Sequence, residues 1–91
     1  AEEAEKMGMI YKVYPDEVFL TESILLADKL AGMPTRSLAL TKFAFNQAFT
    51  HNFEEHLSLE DKLQQEAAQT NDYREGVEAF LQKRSPIFKG E

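Results

Sequence analysis

Two consecutive helical segments of this 91-residue chain carry apolar side chains on several faces at once, and so short a chain has little with which to cover them. In the first, Phe19, Ile24 and Leu25 join Leu26 and Leu30, so that apolar positions run round most of the circumference. In the second, Leu38, Phe45 and Phe49 line one side while Leu40, Phe43 and Ala44 line another. A helix that is apolar on several sides must be buried on several sides. A domain of this length hides only about 60% of the surface its unfolded chain exposes. The remaining apolar surface is therefore expected to form an interface patch, covered by a second copy, by chain lying outside this stretch, or by both.

The rest of the chain reads as helix and turn. Ala1 to Met7 is made of strong helix formers, with Gly8 placed for a left-handed C-terminal cap. Met9 to Tyr14 has β-branched and aromatic content and partial alternation, ended by Pro15, which predicts a brief extended segment without a partner strand. Asp16 is expected to cap a helix stopped by Gly32 and Pro34. A further helix should run from Thr35 or Ser37 to about Phe49 or Thr50, and another, capped by Asn52, from Phe53 to about Gln69. Asn71 or Asp72 should open the last, with Glu75 three residues after Asp72 as in a capping box. Ser85-Pro86 ends that helix near Arg84, leaving Ile87 to Glu91 as a tail. The connections are short, so sequential helices are expected to pack antiparallel or at moderate angles. The fold class is all-α, with four to five short helices.

Sixteen acids against ten bases give a formal net charge of −6, which argues against a nucleic-acid partner needing a basic footprint. The exception is local: Lys83, Arg84 and Lys89 face a single acid, Glu91, within the last nine residues, and such a spot suits a small anionic ligand. No apolar run reaches the roughly 18 residues of a membrane span, and the acidic start lacks the apolar stretch of a signal peptide. Together with the absence of cysteine, this leads to the expectation of a cytoplasmic protein without disulfides or thiolate metal sites. The chain opens on Ala1 rather than Met, already helical in character and without a capping residue ahead of it, and reads as a cut end.

Catalytic chemistry is nearly absent. His51 and His56 stand five apart with Glu55 between them, which is not the spacing that sets two imidazoles on one helical face, and no metal site is expected. The acid pairs Glu2/Glu3, Glu54/Glu55 and Glu60/Asp61 are adjacent, so on a helix they diverge. There is no GxSxG, P-loop or GxGxxG. The last helix differs: Tyr73, Gly76, Val77, Phe80 and Arg84 recur at intervals of three and four as one stripe. Gly76 costs about 1 kcal/mol of helix stability relative to Ala, and close approach by a backbone or ligand would account for it. Lys83 and Arg84 in a last helical turn are favoured by the helix dipole, so a packed amphipathic helix with a basic end explains the spacing as well as binding does.

Glu75-Gly76-Val77-Glu78-Ala79-Phe80-Leu81-Gln82-Lys83-Arg84-Ser85-Pro86-Ile87-Phe88 resembles the closing signature of the crotonase superfamily, the enoyl-CoA hydratases and isomerases: an acid, Gly, two variable positions, Ala-Phe, then Lys-Arg, Pro and Phe. The opening, Ala1 to Ile10, is similar to that family's A-x-x-A-x-x-x-G-hydrophobic-hydrophobic stretch. Lys42, the Asn46-Gln47-Ala48-Phe49 run, Leu59-Glu60 and Glu66 match in kind, so the resemblance spans essentially the whole chain. Within the superfamily, Asp72-Tyr73-Arg74-Glu75-Gly76-Val77 and Lys83-Arg84-Ser85-Pro86 look most like the isomerases that rearrange a ring-epoxide of phenylacetyl-CoA.

The resemblance implies that residues 1–14 are the tail end of a β/α core and residues 15–91 a helical region that drives assembly, to a trimer or hexamer. It implies a coenzyme A thioester as substrate, with the oxyanion-holding amides and proton-moving carboxylates upstream of this stretch and no catalytic residue within it. It implies further that the aromatic at Phe80 and the lysine at Lys83 reach the CoA of an adjacent subunit, the one at the adenine or pantetheine, the other at phosphate. Two other readings compete: a free-standing helical interaction module, and a small four-helix acyl-CoA carrier, against which the bases are too few and too terminal.

Overall fold

In the computed structural model, which describes residues 1–91, five helices follow one another: α1 (Glu2–Lys6), α2 (Asp16–Ala31), α3 (Thr35–Gln47), α4 (Phe53–Ala68) and α5 (Asn71–Gln82). There is no strand, and no helix is long and apolar enough to cross a membrane.

Residues 9–14 form no ladder. The chain turns back on α1 instead, Gly8 N–H donating to Glu5 O and Met9 N–H to Ala4 O. The Glu5 carboxylate then accepts from the Val13 amide at 2.7 Å and the Lys12 ammonium at 3.2 Å, which holds its pKa below the usual carboxylate value. One side chain thus does for the unpaired segment what a neighbouring strand would otherwise do.

Helix starts depend on local donors and acceptors. α2 begins at Asp16 itself behind Pro15, and the Asp16 side chain makes no cap hydrogen bond; as a first-turn acid it favours the helix through the dipole. At α4 the cap expected at Asn52 is present and is the chain's capping box: Asn52 Oδ1 accepts from Glu55 N–H at 2.9 Å, and Glu55 Oε2 accepts from Asn52 N–H at 3.0 Å. α5 opens at Asn71, one of the two starts expected, but its cap is Thr70, whose Oγ1 accepts from Tyr73 N–H at 3.1 Å, and not an Asp72–Glu75 box. That frees both Asp72 and Glu75 for other work. α3 stops at Gln47, two to three residues early, where the chain turns through Thr50 N–H and His51 N–H to the Gln47 carbonyl.

Packing runs in series, α3 against α4 and α4 against α5, with Arg36 of α3 ion-paired to Glu66 of α4. The expectation that the short Gly32–Pro34 connection would pack α2 on α3 fails: α2 has no helical partner comparable to those of α3, α4 and α5. The result is a slab measuring 42 × 39 × 19 Å. Only Ala79 and Asp72 are buried. The multi-sided apolar helices are left open as their sequence implies, with Leu20 69%, Leu25 56%, Phe45 70% and Phe49 94% exposed.

Candidate functional site: the carboxyl end of α5

The chain after α5 does not trail away. It folds back along the helix and is fastened by the two acids that capping left free. Asp72 Oδ1 accepts from Lys89 N–H and Oδ2 from Gly90 N–H, both at 2.7 Å, while Asp72 N–H donates to Glu91 O at 2.9 Å. A buried carboxylate requires such donors to replace its lost water, and two backbone amides supply them. Gly90 takes φ +80°, and a Cβ there would collide with Thr35 Oγ1, so the return brings the tail against the start of α3.

Glu75 makes the second fastening. Arg84 Nη1 and Nη2 donate to its two oxygens at 2.6 and 2.8 Å, and Ile87 N–H adds a third bond at 2.8 Å. This bidentate pair, seconded by the Ile87 amide, holds the Glu75 carboxyl down at about 2 and raises Arg84 above its ordinary value.

Between these two ties lies Gly76, with the Phe88 ring 3.6 Å from where a Cβ would stand. Within the chain, the neighbour that comes nearest is a side chain of its own tail, at ordinary contact distance. Space does not require glycine here.

The helix ends at Gln82, two residues before the Arg84 expected, because Lys83 turns left-handed at φ 55°, ψ 38°. Lys83 N–H donates to Phe80 O and Arg84 N–H to Ala79 O, the paired bonds of a Schellman ending. That ending normally takes glycine, since a left-handed residue with a Cβ costs roughly 1–2 kcal/mol. Lys83 is the one non-glycine residue with positive φ. Its ammonium forms no ion pair within the chain, in contrast to the guanidinium next to it, which is paired with Glu75.

Phe80, 82% exposed, borders an open groove of about 380 Å³ whose walls include Pro34, Tyr73, Val77, Leu81 and Phe88. Lys83 lies beyond that lining, at the helix end. The helix end offers an exposed aromatic face at Phe80 and, three residues on, a cation without an ion-pair partner, groups suited to a flat apolar moiety and an anion respectively.

A second groove of about 410 Å³ lies between α3 and α4, walled by Leu40, Phe45, Leu63, His56, Glu60 and Tyr73. His51 precedes the α4 cap, so the two histidines are not on one helix, and the turn brings their rings to 6.0 Å, tilted by 58°. Both Nδ1 atoms are buried without a hydrogen-bond partner, and His56 Nε2 lies 3.4 Å from Glu60. A five-residue interval carries no sign of this. No group of three or more His, Cys, Asp or Glu side chains converges as a metal would require.

Comparison with known proteins settles the family. The profile of the enoyl-CoA hydratase/isomerase family matches residues 1–91. This chain belongs to that family. It is 47% identical over 90 residues to the 1,2-epoxyphenylacetyl-CoA isomerase of Escherichia coli K12, covering 99% of this chain and 34% of that protein. It is 42% identical over 90 residues to a probable enoyl-CoA hydratase of Rhodobacter capsulatus, covering 99% and 35%. Among solved structures, an enoyl-CoA hydratase subunit from Geobacillus kaustophilus superposes with a TM-score of 0.92 at 35% identity, over the whole of this chain and 35% of the other. The crotonase-type helical architecture is thus the one this sequence adopts, and the chain spans about a third of the length of the relatives it matches.

Proposed function

We infer that this chain is the C-terminal helical part of an acyl-CoA enzyme of the hydratase/isomerase type. Residues 1–14 are the end of its catalytic core, and residues 15–91 mediate oligomerisation and contribute to coenzyme A binding. Phe80 meets the adenine or pantetheine of a CoA held mainly by a neighbouring subunit, and Lys83 meets a phosphate. The observation that carries this reading is the pairing of an almost fully exposed Phe80 with the unpaired Lys83 at the end of α5, inside a whole-chain family match. The open apolar faces of α2 and α3 support the assembly role, because a surface of that kind is stable when something covers it. No residue here is assigned a catalytic role.

For the substrate, the isomerase relative at 47% identity stands slightly ahead of the hydratase at 42%, which supports isomerisation of a ring-epoxide phenylacetyl-CoA over hydration. The full-length protein should therefore convert that epoxide faster than it hydrates crotonyl-CoA, and the reverse order would reject the assignment. The 91-residue chain alone should turn over neither thioester. Turnover by it would show a catalytic group that this reading lacks.

A further inference from the structure

Lys83 stands where glycine is the ordinary residue, and the chain shows the ordinary solution elsewhere: α1 is followed by Gly8 at φ +73°. At the end of α5 a long cationic side chain occupies the left-handed position instead. A residue persists in such a conformation only when its surroundings over-determine it. Those surroundings are explicit. The Glu75 carboxylate grips the residue after Lys83 through both Arg84 nitrogens, and the same Oε1 that accepts from Nη1 also accepts from Ile87 N–H. Arg84 is held further by Gln82 Oε1 and the Ser85 carbonyl. One acid on the second turn of the helix thus fixes the path of the chain on the far side of Lys83.

We propose that the Glu75–Arg84 clamp is a positioning device, which fixes Lys83 left-handed so that its ammonium leaves the helix end beside Phe80 and meets the phosphate of a coenzyme A nucleotide. The clamp acts through Lys83 and touches no ligand itself. Of two adjacent cations, Arg84 makes four hydrogen bonds to protein acceptors and Lys83 forms no ion pair. That division of labour is what a positioned anion contact requires, and a merely stable helix end would be served better by glycine.

The proposal rests on the coenzyme A reading of Phe80 and Lys83, and the experiment separates the two. In the full-length protein, coenzyme A and pantetheine, which lacks every nucleotide phosphate, are titrated calorimetrically against Lys83→Gly, Lys83→Ala, Glu75→Gln and the double variant Lys83→Ala/Glu75→Gln. Lys83→Gly should melt no lower than the parent, since the strain is relieved, and should bind coenzyme A about five-fold more weakly, the scale of one exposed ionic contact. Glu75→Gln, which keeps the lysine, should lose a similar factor for coenzyme A and nothing for pantetheine. In the double variant the losses should not add, because both changes remove the same contact.

If Glu75→Gln leaves coenzyme A affinity unchanged, or its loss adds in full to that of Lys83→Ala, the clamp does not position the lysine and the proposal fails while the binding role of Lys83 survives. If Lys83→Ala itself leaves coenzyme A affinity unchanged, the binding role fails and the proposal with it. Arg84→Lys, which keeps the charge but cannot form the two-pronged bond, provides the same readout should Glu75→Gln not fold.

Discussion

The Asp72 carboxylate is 3% exposed and has exchanged its water for the amides of Lys89 and Gly90. Asp72→Ala removes both acceptors at once, and the amides regain partners only if the tail peels away. The expected loss is about 1–3 kcal/mol in chemical denaturation of the full-length protein, with faster hydrogen exchange at Lys89 and Gly90 as the local signature. Glu75 makes a pH-dependent tie. Its folded value of about 2 lies below the ordinary 4.5, so its contribution is fully present above about pH 4.5 and disappears as pH falls from there towards 2. Arg84 stays charged throughout, Lys89 favours the ionised carboxylate from nearby, and Glu78 acts on Arg84 in the same sense as Glu75. Following the Ile87 amide by NMR should show it tied to Glu75 at pH 4 and released near pH 2; release centred on pH 4.5 would mean that the ion pair does not form. The sequence displayed both acids and the basic cluster but not this use of them. Thr70 had already supplied the cap, and the partners of Asp72 lie 17 and 18 residues away, beyond the reach of any local pattern. Phe80 and Lys83 were legible as types at a spacing, whereas the left-handed turn that separates Lys83 from the helix was not.

Helices were legible where strong punctuation bounded them. Gly32 and Pro34 closed α2, Asn52 opened α4, and both boundaries stand in the structure within a residue of where the pattern puts them. Where the boundary depends on tertiary contact, as at the end of α5, sequence reasoning overshoots. The caps have measurable weight: Asn52→Ala removes the side-chain half of the box, the acceptor for Glu55 N–H, while the backbone N–H at 52 can still donate to Glu55, and should cost about 1 kcal/mol, with fraying confined to the first turn of α4. Two glycines give opposite expectations. Gly76→Ala puts a methyl 3.6 Å from the Phe88 ring in a mid-helical position, so it should be tolerated and can add up to about 1 kcal/mol of stability. Gly90→Ala meets a positive φ and the Thr35 hydroxyl together, and should lower the melting temperature. A thermal melt of the two variants side by side decides it, and a destabilising Gly76→Ala would point to an approach closer than the Phe88 contact.

A folded domain of 91 residues ordinarily has a radius of gyration of about 12 Å, against 16.8 Å here. The size scaling of folded monomers gives about 5,400 Å² of accessible surface for a protein of this mass, against 7631 Å². The surplus of about 2,200 Å² exceeds the roughly 800 Å² that one partner contributes to an ordinary interface, so the open surface is larger than a standard contact would cover. This was the most legible property of the chain, because it follows from counting apolar faces against available cover. What the count could not reveal was its distribution, with α2 left unpartnered while α3, α4 and α5 pack in series. Such a surface has a direct consequence in water. The isolated chain should self-associate in a concentration-dependent way by sedimentation and should bind a dye that reports apolar surface. Phe49, 94% exposed in the turn that follows α3, is the clearest point to probe. Phe49→Asp should weaken association, while Gln65→Asp, on the exposed polar side of α4, should leave it alone. A chain that stays monomeric and dark to the dye at every concentration would mean that its apolar faces close over one another in solution, and the assembly role assigned to residues 15–91 would fall.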